Sequence, residues 1–153
     1  MSYSLRRIFL CFFLAVMLPL SSQAQVPEKC VSTVAGLKQL LNDPAFPLHW
    51  EETTMDDGKP LMVTISEKSG AASVEFVKRD KGLWADISGQ ICQAGTDLEI
   101  RFTAEQIHFG PAASWILRYL MGSGGKFTLT RLGPKELRVA TTGWSGIFVP
   151  ADS

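Results

Sequence analysis

Leu83-Trp84-Ala85-Asp86-Ile87-Ser88-Gly89-Gln90-Ile91-Cys92 is the stretch from which the fold is read. A period of two sets Leu83, Ala85, Ile87, Gly89 and Ile91 on one face and Trp84, Asp86, Ser88, Gln90 and Cys92 on the other. That is the pattern of a strand with one packed face. Leu61, Val63 and Ile65 alternate in the same way with Met62, Thr64 and Ser66, and Leu98, Ile100 and Phe102 with Glu99, Arg101 and Thr103. Phe127 with Leu129, and Leu137 with Val139, repeat the pattern later in the chain. Turn chemistry separates these runs at Asp56-Asp57-Gly58, Ser69-Gly70, Asp80-Lys81-Gly82, Ala94-Gly95-Thr96 and Gly133-Pro134-Lys135. Short connections between amphipathic strands predict an antiparallel meander.

Two helices interrupt the strands. Ser32 or Thr33 can cap a helix whose apolar positions Val34, Leu37, Leu40 and Leu41 share a face, and Asn42-Asp43-Pro44 stops it. A second helix is expected over residues 111 to 121, begun by Pro111 and ended by Gly122-Ser123-Gly124-Gly125. Trp115, Ile116, Tyr119 and Leu120 fall on one of its faces, and a helix this apolar calls for cover. The cover is the sheet, a cavity over which the helix acts as a lid, or a partner. The predicted fold is therefore α+β: a mainly antiparallel meander sheet of about eight strands, curled or barrel-like, with an N-terminal helix and a second helix near residues 111 to 121. Its layout resembles that of lipocalin-like barrels in architecture alone, and the likeness transfers no site residues.

The N-terminus reads as an export signal. Arg6 and Arg7 precede an apolar core of 13 residues from Ile8 to Leu20, and Ser22-Gln23-Ala24 offers small residues at the cleavage positions. A membrane span needs about 20 apolar residues, so no integral span is expected once the leader is removed. Cys11 sits inside the apolar core and not at the cleavage point, which argues against a lipid anchor. The expected organisation is a cleaved signal peptide at 1–24 and a single globular domain at 25–153, periplasmic in a Gram-negative cell and secreted otherwise.

Removing 24 of the 153 residues leaves 129, enough for one core. It also leaves 13 basic against 15 acidic residues, a net charge of −2 with both histidines neutral. The charges are interspersed, as in Glu75-Phe76-Val77-Lys78-Arg79-Asp80-Lys81. Without a basic stripe, neither nucleic acid nor an anionic membrane surface is an expected partner. Cys30 and Cys92 remain as an even pair in an oxidising compartment and are expected to be bonded. Closing a loop of about 60 residues is worth on the order of 4 kcal/mol in the chain-entropy model.

Few residues suggest chemistry. Gly143-Trp144-Ser145-Gly146 lacks the residue that a nucleophile elbow places between serine and the second glycine, and reads as a turn before the last strand. His108 and His49 could serve as bases, but no serine, cysteine or ligand set is paired with either in the sequence. Glu51, Glu52, Asp56 and Asp57 cluster without the spacing of a calcium loop. No cofactor, metal or catalytic residue is therefore assigned.

The leading expectation is a non-enzymatic binding protein that holds an apolar or amphipathic small molecule against a curved sheet. The alternative is a protein interaction module, such as an inhibitor or accessory factor of an envelope protein. Trp84, Trp115, Ile116, Tyr119 and His108 are the expected contact residues. An enzyme ranks third, and its best candidate is His108.

Overall fold

Alternating burial is clearest where the sequence alternates most regularly. In a computed structural model that describes residues 29–53 and 59–151, Leu61, Val63 and Ile65 are buried while Met62, Thr64 and Ser66 are only half-buried. The described chain forms, in order, β1 (Lys29–Val31), α1 (Val34–Leu40), β2 (His49–Glu52), β3 (Leu61–Lys68), β4 (Ala71–Lys78), β5 (Gly82–Ser88) and β6 (Gln90–Ala94). It continues through β7 (Asp97–Thr103), β8 (Ile107–Phe109), α2 (Trp115–Met121), β9 (Gly124–Gly133), β10 (Glu136–Thr141) and β11 (Trp144–Pro150). The leader assigned to 1–24 and the turn at Asp56-Asp57-Gly58 lie outside the described residues.

All eleven strands belong to one open antiparallel sheet, in the order β1-β6-β7-β9-β10-β11-β2-β3-β4-β5-β8. The expectation of about eight strands is thus corrected to eleven. Three of the additional strands are short: β1 and β8 have three residues each and β2 has four, too few to show a period. The Leu83 to Cys92 stretch is also two strands and not one. It divides at Gly89, where a Cβ would lie 2.5 Å from the Arg101 carbonyl oxygen, so only glycine permits this approach.

Hairpins join β2 through β5 and β9 through β11, as a meander requires, but β11 returns to pair with β2 and β5 pairs with β8 instead of β6. Ser69 at φ 52° and Gly70 at φ 76° form the two-residue turn between β3 and β4. Positive φ at both positions gives a turn twist that matches the strands it joins.

The sheet curls until its two halves meet over a shared core. Phe76 of β4 and Phe127 of β9, with four strands between them in the order, stack at 4.7 Å between ring centroids. Helices sit at opposite ends of β4. At one end Ala72 donates its backbone N–H to Ser32, and α1 follows, capped by the Thr33 hydroxyl, which accepts from Gly36 N at 3.0 Å. Its Leu37 is fully buried with Phe46 and Trp50 in the same core. At the other end Ala112 N donates to the Leu83 carbonyl, bringing in α2.

The second helix begins at Trp115, not at Pro111, because Pro111 to Ser114 form the turn that leads into it. Ser114 is the N-cap, its hydroxyl accepting from Leu117 N at 3.3 Å. Cys30 and Cys92 are bonded and occupy directly opposed positions in the β1–β6 pair. No helix among the described residues is long and apolar enough to cross a membrane.

Candidate functional site

Seven residues of α2 divide cleanly between two faces. Met121 is buried and Leu117 packs half-buried against the core, one helical turn apart. The Thr141 hydroxyl meets the Met121 sulfur at 3.9 Å. Trp115 and Tyr119, also one turn apart, are 76% and 81% exposed; Ile116 and Leu120 beside them are 51% and 49% exposed. The face that sequence assigned to cover is therefore the face that points outward. Leu117 and Met121, which lie off that face, make the attachment.

The interior is aromatic. Strict alternation would put Trp84 on the outer face with Asp86 and Ser88. The β4–β5 register instead shifts between Phe76 and Val77, so that Phe76 opposes Ala85 while Val77 opposes Leu83. Trp84 is the extra residue of this bulge and is brought inward beside Ala85. Its ring lies 5.6 Å from Phe76 and 5.9 Å from Trp144, which in turn lies 6.2 Å from Phe148. Phe102 stands 5.8 Å from Phe127. Rings thus occupy the interior of the curled sheet, and the helix adds only Leu117 and Met121 to it.

Arg118 fixes the orientation. Its Nη2 donates to the Gly110 carbonyl at 2.7 Å and its Nε to the Ala113 carbonyl at 3.4 Å, while the guanidinium lies over the Phe109 ring at 5.7 Å. With Arg118 folded back onto the turn before the helix and Met121 set into the core, four large apolar side chains are left facing solvent. Exposed apolar clusters of this kind commonly mark contact surfaces.

The remaining expected residues lie elsewhere. His108 is exposed on β8, opposite Asp86 in the β5–β8 register. Both line an open depression of about 380 Å³ together with Lys68, Ser73, Ser88 and Gln106. Asp86 accepts from the Ser73 hydroxyl at 2.6 Å and from Lys68 Nζ at 2.9 Å, and Lys68 also pairs with Glu75. Hydrogen bonds to Asp86 and then Glu75 raise the Lys68 ammonium above its ordinary pKa. Ser73 is 1% exposed, which keeps its hydroxyl from a substrate. Lys68, Glu75, Asp86 and Ser73 thus form one polar network on the outer face of the sheet.

His49 pairs with the Thr64 hydroxyl at 3.3 Å, and Glu51 with Arg79 at 2.9 Å. Gly143, at φ 80°, turns the chain into β11, and Trp144, Ser145 and Gly146 of that motif already belong to the strand. Among the described residues, no group of three or more His, Cys, Asp or Glu side chains could hold a metal ion.

The structure keeps Leu120 on the same face as Trp115, Ile116 and Tyr119 and identifies Arg118, Leu117 and Met121 as the supports of the helix. Gly122 ends the helix, and Gly124 and Gly125 already belong to β9. No protein-family model, curated protein or solved structure matches the chain. Fold and site together define a class, an open antiparallel sheet curled around an aromatic interior, which carries on one end a short helix with an apolar outer face.

Proposed function

We propose that the chain is an exported, non-enzymatic interaction module that engages a protein of the cell envelope through the outer face of α2. The observation that carries this reading is the exposure of Trp115, Ile116, Tyr119 and Leu120 on a helix whose attachment is made by other residues. Trp and Tyr are the residues most often found at the energetic centre of protein interfaces. Export is supported by the leader-like N-terminus and by the Cys30–Cys92 bond, a linkage that persists in oxidising compartments.

The other expectation, an apolar small molecule held within the curved sheet, draws support only from the aromatic character of the interior. A guest there would have to displace rings that already touch one another. The outer face of α2 needs no such rearrangement.

Affinity capture from an envelope extract tests the proposal, using the wild type, the double variant Trp115→Ala/Tyr119→Ala, and Leu132→Ala as an exposed apolar control on β9. One stoichiometric protein is expected with the wild type and the control and lost with the double variant. Equal recovery with all three, or no stoichiometric partner, contradicts it. Solvent extraction of the purified protein addresses the small-molecule reading, for which a stoichiometric apolar compound would be the support.

A further inference from the structure

We draw no further inference here: the strongest candidate, the apolar outer face of α2 formed by Trp115, Ile116, Tyr119 and Leu120, is the site already described, and nothing in the structure shows what chemistry covers it.

Discussion

Phe76 and Phe127 stack at 4.7 Å across the interior, one from β4 and the other from β9, and neither exposes any surface. Contact between strands so far apart in the sheet order holds the curl closed. The same contact takes up space that a ligand inside the sheet would need.

Truncating that contact is expected to be expensive. Phe127→Ala should cost about 3–5 kcal/mol, the range for removing a buried ring, because Phe76, Phe102 and Trp84 all lose their neighbour. Urea denaturation measures it. A loss below about 1 kcal/mol would mean that the interior collapses easily or was not filled.

On α2, the two faces should respond oppositely. Met121→Ala is expected to lower stability by about 2–4 kcal/mol. Trp115→Ala, at an exposed position, should change stability by less than about 0.5 kcal/mol. Partner affinity should show the reverse order, with Trp115→Ala weakening binding tenfold or more and the folded Met121 variant affected less. Calorimetric melting combined with binding titration separates the two effects.

These two faces also show where sequence reading ended. The strands at Leu61 to Ser66 and Leu98 to Thr103 were legible because each buries its apolar residues on one face, although Glu99 on the polar face of the second is buried too. The Thr33 cap was legible for equally local reasons, and the Cys30–Cys92 bond from the even cysteine count left once the leader is removed. Trp84 was misplaced because a bulge adds one residue and reverses the phase beyond it, and only the partner strand reveals the extra residue. The α2 face points outward, although hydrophobicity ranks Trp115, Ile116, Tyr119 and Leu120 as the side to bury, because Leu117, Met121 and Arg118 make the attachment. Thr141, which meets Met121, is distant from it in sequence.

The disulfide gives an independent stability test. Cys30 and Cys92 are 62 residues apart in sequence, and their bond ties the three-residue β1 to β6. Replacing both by serine should cost about 2–4 kcal/mol, the usual contribution of such a link. Nonreducing mass measurement of the mature chain should give a mass that starts at Gln25 and lacks the two thiol hydrogens. Free thiols would contradict the bond, and a chain beginning at Met1 would contradict cleavage.

Stability should fall at both pH extremes through two named groups. Lys126 and then Arg101 hydrogen-bond to Glu99, at 2.6 Å and 2.7 Å, and hold its carboxyl below the ordinary value of 4.5. The contribution of Glu99 is therefore present above pH 4.5 and is lost as pH falls through its lower folded value. Lys68 is raised above 10.5, so its contribution is complete below that pH and lost as pH rises through the folded value. Denaturation measured across pH should show a shallower acid limb for Glu99→Gln, while Glu136→Gln, at an exposed position, should leave the limb unchanged.

The most direct measurement of the central claim is site-specific photocrosslinking from α2 in the intact cell envelope. A photoreactive residue at position 119, on the outer face, should capture one protein in high yield, and the adduct should disappear when Trp115→Ala is added. The same residue at position 136, on the far end of the sheet, should give none. No adduct from position 119, or equal adducts from both positions, would contradict the account of α2 as the contact surface.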